Sequence, residues 1–289
     1  MEKLMHSIDD PIAVFDSGLG GISVLKTLKE VMPLENYIYY GDSLNAPYGS
    51  RSREEIIAFS EAIVQHMISR SAKCIIIACN TATSAAAGYL RKKYSDIDII
   101  GMEPAVKPAA MSGDHPRVLV MATPVTIGGD KLKKLVRQYE DRADFMPLPA
   151  QEIVNYVENG ETDGHISDGF RTYLEELFEP YLSNADRRPD AIVLGCTHFP
   201  FIKKTISDMF GGSVEIFDGA RGTAMHTRSI LKSRKLLKEC RDGGADIMSA
   251  PGKAGAADAF GRNTEAAGKV IFESSDPDGA ALEERLFSL

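Results

Sequence analysis

The chain has 289 residues, 44% hydrophobic and 26% charged, with a formal net charge of −8. That length suits two domains better than one, and the acidic balance argues against a broad nucleic-acid or anionic-membrane surface. No apolar run approaches the roughly 20 residues of a membrane span. Residues 1–10 lack the apolar stretch of a signal peptide, and four cysteines are too few for a disulfide scaffold. A cytoplasmic protein is expected.

Strand-like and helix-like segments alternate, the pattern of parallel βαβ units. Residues 12–15 read as a strand running into the turn Asp16-Ser17-Gly18-Leu19-Gly20-Gly21, with helical spacing from Ile22 to Val31. A strand at 37–40 ends in Gly41-Asp42, and a loop with Pro47-Tyr48-Gly49 precedes a helix near 54–70. The strand 74–78 leads to Cys79 and a helix at 83–94. The strand 97–102 stops at Glu103-Pro104. A second series then begins. It has a strand at 118–121 ending in Ala122-Thr123-Pro124, a helix at 131–139, and a long helical region at 152–182 broken near 159–164. A strand at 191–194 leads to Cys196, followed by a helix at 201–210 and a strand at 214–217. Beyond it, a helix at 225–240 and a strand at 269–273 are expected to return to the first half. The reading is an α/β protein of two similar three-layer domains with parallel sheets, related by a pseudo-twofold axis, with the site in the cleft between them. The first domain covers 1–103 plus 219–289 and the second 104–218.

Two cysteines occupy matched settings. Cys79 closes Ile75-Ile76-Ile77-Ala78 and is followed by Asn80-Thr81; Cys196 closes Ile192-Val193-Leu194-Gly195 and is followed by Thr197-His198. Ligands of open α/β sheets collect at the carboxyl ends of strands. Thiols at two such ends can face one another across a cleft, one base for each face of an α-carbon. A helix start after each cysteine favours the thiolate that this chemistry needs. Asp16 and His198 are the candidate partners for proton traffic. Asn80, Thr81, Thr123 and Thr197 offer short polar groups for a small zwitterion. Cys74, inside its strand, and Cys240 read as structural.

Other chemistries fit parts of the pattern. Gly18-x-Gly20 after a strand, with Asp42 ending the next one, resembles a dinucleotide fingerprint, but Ser23 stands where its third glycine belongs. Cys79, Cys196 and His198 could ligate zinc, though Cys-x-His is tighter than the usual ligand spacing. A non-catalytic amino-acid receptor would also use two halves and a cleft.

Order and spacing of several blocks resemble the cofactor-independent aspartate/glutamate racemase superfamily, and within it the glutamate racemases. The blocks are Phe15-Asp16-Ser17-Gly18-Leu19-Gly20-Gly21, Gly41-Asp42-Ser43 with Pro47-Tyr48-Gly49, Cys79-Asn80-Thr81-Ala82, Glu103-Pro104, Ala122-Thr123 with Thr126, Val157-Glu158, and Leu194-Gly195-Cys196-Thr197-His198-Phe199-Pro200. The chain departs from relatives at Ala150-Gln151, where Cys-Pro is common, and at Asn45, where arginine is common.

The resemblance implies interconversion of L- and D-glutamate by proton transfer at one carbon, without pyridoxal phosphate, any other cofactor or a metal. It implies Cys79 as the base for the D-isomer and Cys196 for the L-isomer, assisted by Asp16 and His198. Asp16, Ser17, Pro47, Tyr48, Gly49, Asn80, Thr81, Thr123, Thr126, Glu152, Thr197 and His198 would bind substrate. It further implies a homodimer and a role in peptidoglycan synthesis, hence cell-wall biogenesis and cell shape. An aspartate racemase, or another two-cysteine member of the superfamily, is the alternative.

Overall fold

The computed structural model describes residues 6–239 and 267–288. The first series of elements is β1 (Ile12–Asp16), α1 (Ile22–Val31), β2 (Tyr37–Gly41), α2 (Arg53–Ser69), β3 (Cys74–Ile77), α3 (Asn80–Lys93) and β4 (Asp98–Gly101). The second is α4 (Val106–Ala110), β5 (Arg117–Ala122), α5 (Pro124–Gly128), α6 (Asp130–Arg137), β6 (Asp144–Pro149), α7 (Gln151–Glu158), α8 (Asp168–Leu182), β7 (Ala191–Leu194), α9 (Lys203–Met209) and β8 (Glu215–Asp218). α10 (Ala220–Arg234), β9 (Val270–Ser274) and α11 (Gly279–Ser288) follow.

Two sheets form, one ordered β4-β3-β1-β2-β9 and the other β6-β5-β7-β8, with every pairing parallel. The run β2-β1-β3-β4 in one corresponds to β6-β5-β7-β8 in the other, and β9 extends the first sheet beyond β2. Strands covered on both faces carry continuous apolar runs. Ala13, Phe15, Ile75 and Ile77 pack on the α2 and α3 side, while Ile12, Val14, Cys74 and Ile76 pack on the α1 and α10 side. In the second sheet Leu119, Met121, Ile192 and Leu194 face α7, α8 and α9, and Val118, Val120, Ala191 and Val193 face α4 and α6. Each sheet is therefore the middle of three layers.

The chain order reverses direction across each sheet between β1 and β3, and between β5 and β7. Crevices in doubly wound sheets open at such switch points. Asp16 and Cys79 flank the first and Thr123 and Cys196 the second, so topology alone brings these residues to two crevices.

Several elements differ from the sequence expectations. α3 starts at Asn80, three residues early, because Cys79 accepts from the Ala82 amide at 3.4 Å and caps the helix. The helix expected at 225–240 begins at Ala220 and ends at Arg234, where Lys235 adopts a left-handed conformation with φ of 60°. Cys240 lies outside the described residues. β6 went unrecognised because it is an edge strand carrying Pro147 and Pro149, with only Leu148 buried. α11 was likewise not expected. Among the described residues, no helix is long and apolar enough to cross a membrane.

One buried ion pair fastens the first sheet from below. Lys73 Nζ lies 2.6 Å from Glu35 Oε2, both side chains fully buried, and also donates to the carbonyls of Ile8 and Leu236. The Lys238 amide donates to the other Glu35 oxygen at 2.8 Å. Every charged atom of the pair is thus hydrogen-bonded, the condition under which such burial is tolerated.

Candidate active site

The carboxyl ends of the two sheets meet, and the strand-end residues join across the seam. Thr197 donates its hydroxyl to Asp16 Oδ2 at 3.0 Å, Ser23 Oγ donates to the Thr197 carbonyl, and the hydroxyls of Thr81 and Thr123 lie 2.9 Å apart. Thr123 caps α5 by accepting from the Thr126 amide, and the Thr126 hydroxyl lies 3.1 Å from that of Thr123. Asp16, Ser17, Tyr48, Cys79, Asn80, Thr81, Thr123, Thr126, Cys196, Thr197 and His198 are all buried.

Each sulfur has a distinct partner. Cys79 Sγ lies 3.6 Å from Ser17 Oγ, and Ser17 Oγ donates to Asp16 Oδ1 at 3.4 Å, a chain of groups from thiol to carboxyl. Cys196 Sγ lies 3.6 Å from His198 Nδ1. Burial pushes the Cys79 thiol up to about 12, with the nearby Asp16 charge adding to the effect. Cys79 therefore rests as a thiol. Burial also raises Asp16 to about 6, although the His198 charge and the Thr197 hydroxyl oppose the rise. For His198, burial works against the charged form, but the Glu158 carboxylate overcomes it and holds the imidazolium well above the usual histidine range. Glu158 falls below its ordinary value, because His198 and the Leu19 amide outweigh the cost of burial.

The sequence reading gave Glu158 no role. It bonds His198 Nε2 with Oε1, and the same oxygen accepts from the Leu19 amide at 3.0 Å. Its signal was faint but physical: Glu158 is the last residue of α7, where the helix dipole disfavours an anion. Side chains at Gly18 and Gly20 would collide with Glu158 and with His198 respectively, which explains two glycines of the β1–α1 turn. The same turn answers the dinucleotide reading. Its Gly18 and Leu19 amides already donate to the carboxylates of Asp16 and Glu158 rather than standing open to phosphate.

Glu152 requires a correction. It is exposed, its carboxylate accepts from Asn155, and it does not join the cluster. Residues seven apart share a helix face, whereas neighbours differ by about 100°. The face that carries Glu158 therefore also carries Gln151, not Glu152.

The Pro47-Tyr48-Gly49 loop reaches the site through Tyr48, which donates to Asp42 Oδ2 at 2.6 Å while Asn45 donates to both Asp42 oxygens. Asn80 is buried with neither amide atom hydrogen-bonded among the described residues. α11 contributes Glu283, buried against Gly41, whose acid is raised to about 8 by burial and by the charges of Asp16 and Glu158. No group of three or more histidine, cysteine or acidic side chains is arranged to hold a metal among the described residues. Cys74 lies inside β3, fully buried, with its thiol also raised to about 12 by burial.

A cavity of about 480 Å³ opens beside this cluster, bounded by Leu19, Pro47, Asn155, Glu158, Asp278 and Leu282. It lies between the Pro47 loop, the end of α7 and the start of α11.

Known proteins resemble this chain in sequence and fold. Residues 22–227 match the family model described as Asp/Glu/Hydantoin racemase. A glutamate racemase of Clostridium perfringens is 45% identical over 240 residues, covering 83% of this chain and 90% of its own. The crystal structure of Francisella tularensis glutamate racemase in complex with D-glutamate superposes with a TM-score of 0.73 at 26% identity, over 98% of this chain and 95% of that one. Escherichia coli glutamate racemase, solved with L-glutamate and an activator, gives 0.70 at 30% identity over 77% and 82%.

Proposed function

The chain belongs to the Asp/Glu/Hydantoin racemase family, and we infer that it interconverts L- and D-glutamate through Cys79 and Cys196, one thiol to each face of the α-carbon. The observation that carries the reading is the pair of cysteines at topologically matched strand ends, each with its own proton partner.

The chemistry follows from those partners. With L-glutamate bound, the Cys196 thiolate takes the α-proton, and the electron pair left on carbon delocalises into the α-carboxylate. Cys79, resting as a thiol, delivers its own proton to the opposite face, and D-glutamate leaves. Atoms balance without an external acid, but the enzyme ends with Cys79 as thiolate and Cys196 as thiol, ready for the reverse reaction. Return to the starting form moves one proton onto Cys79 and one away from Cys196. The Asp16 carboxyl, linked through Ser17, serves the first transfer. His198, held as an imidazolium beside the Cys196 sulfur, pairs with the thiolate form, and the second proton leaves to water when the product departs.

Glu158 keeps His198 charged and oriented, so it is a positioning residue. Asn80, Thr81, Thr123 and Thr126 provide amide and hydroxyl groups for the carboxylates, and Asp16 attracts the ammonium. Burial of the whole set excludes water, which strengthens these interactions. The domain boundaries that go with this reading are 1–103 plus 219–289 and 104–218. Three expectations accompany it: a homodimer, a cytoplasmic location, and supply of D-glutamate to peptidoglycan synthesis.

The test is circular dichroism of L-glutamate and, separately, L-aspartate incubated with the purified protein and no added cofactor. Ellipticity should decay to zero for glutamate. An absorbance band of bound pyridoxal phosphate with activity that depends on it, or decay with aspartate alone, would contradict the reading.

A further inference from the structure

Gln151 is the first residue of α7, and α7 leaves the carboxyl end of β6. β6 pairs with β5, and β5 pairs with β7, which leads to Cys196. Gln151 therefore stands at the same sheet edge as the second thiol, displaced by two strands, or about 10 Å at the spacing of neighbouring strands. Its side chain lies against Gly49. A side chain at Gly49 would run into the Gln151 amide oxygen and would also press on Thr123. Both neighbours belong to the set expected to bind substrate.

The amide of Gln151 is anomalous. Its oxygen and nitrogen are shielded from solvent, yet neither has a hydrogen-bond partner among the described residues. A primary amide offers two donors and an acceptor, and burying it unpaired is costly in the free protein. A leucine would fill the same space without that cost. A polar side chain held in this state beside Gly49 and Thr123 has the character of a group whose partner arrives with the ligand.

We propose that Gln151 binds the side-chain carboxylate of the substrate, its amide N–H donating to the anion. This rests on the glutamate racemase reading above. With the α-carbon held between the two sulfurs, only the far end of the substrate extends toward α7. Glutamate reaches one methylene further in that direction than aspartate. The Thr123 side chain lies against the same Gly49, and the Thr126 hydroxyl is 3.1 Å from that of Thr123.

The role makes a prediction that a packing role does not. Gln151→Leu removes two shielded, unpaired polar atoms from a half-buried side chain at nearly constant volume, so the ligand-free protein should melt no lower than the wild type. Its KM for both L- and D-glutamate should nevertheless rise about ten- to hundredfold, the worth of a donor to a charged group. The kcat should stay within about threefold, because the thiols are untouched. Added D-glutamate should raise its melting temperature less than that of the wild type. Gln151→Glu keeps the shape but places an anion against the carboxylate, and its KM should rise at least as much.

A lower melting temperature with parallel loss of kcat in Gln151→Leu would make the residue structural and overturn the proposal. An unchanged glutamate KM in either variant would overturn it as well. Both results are read on a wild-type enzyme that racemises glutamate, so they are distinct from failure of the functional reading, in which the wild type itself is inactive on glutamate.

Discussion

Replacing Glu158 with glutamine isolates one electrostatic effect. The amide oxygen can still accept from the Leu19 amide and from His198 Nε2, so the geometry of the β1–α1 turn is kept while the negative charge is lost. Two unit charges about 4 Å apart at an effective dielectric near 20 interact by about 4 kcal/mol. Burial alone pushes His198 toward its neutral form, and Glu158 is the main opposing influence. Without that charge His198 should be neutral at pH 7–8, where the wild-type residue is protonated. The Cys196 sulfur then loses an imidazolium neighbour, and turnover of L-glutamate should fall about a hundredfold, within the range of one acid–base assistant. Nitrogen NMR of histidine-labelled protein reports the charge state directly, and initial rates with each enantiomer report the consequence. A His198 that remains protonated at pH 8 in the variant, or an L-glutamate rate within threefold of wild type, would refute this account of the pair.

Asp16 should leave a mark on stability. Its pKa is raised by burial to about 6, so the folded protein holds a proton that the unfolded chain releases near pH 4. Its contribution is complete below pH 4 and is lost as pH rises through about 6, amounting to about 3 kcal/mol. Denaturation of wild type and Asp16→Asn across pH 3.5–7 should show the wild type losing that much relative to the variant, and parallel curves would reject the assignment. Lys73→Met strips the buried Glu35 of its charged partner and should cost about 3–5 kcal/mol in chemical denaturation, with kcat of the folded protein unchanged. A cost below 1 kcal/mol would mean that the pair is not sealed from water.

Much of this molecule is written locally. Ile75-Ile76-Ile77 and Ile192-Val193-Leu194 advertise doubly covered parallel strands, and the cysteines after them fall where such strands open into a crevice. Asp16, Thr123 and His198 are legible for the same reason, since each follows a readable strand. Glu158 is not, because its partner His198 comes from another part of the chain and only the packing of α7 under the Gly18–Gly20 turn brings them together. Within α7, the apolar positions Ile153, Val154 and Val157 define the buried face. That face fixes Glu158 and Gln151 as cleft residues and turns Glu152 to solvent, which a reading of single residues could not decide. β6 was hidden by its prolines and its exposure, and Glu283 by the distance in sequence between α11 and the β2 end it covers.

The central claim is that each thiol serves one face, and it is tested most directly by elimination from glutamate analogues bearing a leaving group on the β-carbon. Removal of the α-proton by one thiolate expels that group and needs no proton from the other side, so half of the reaction can be seen alone. Both Cys79→Ser and Cys196→Ser should lose racemisation. Cys79→Ser should still eliminate from the L-analogue through Cys196, and Cys196→Ser from the D-analogue through Cys79, each at least about tenfold faster than from the other enantiomer. Equal elimination from both enantiomers in both variants, or none in either, would contradict the assignment.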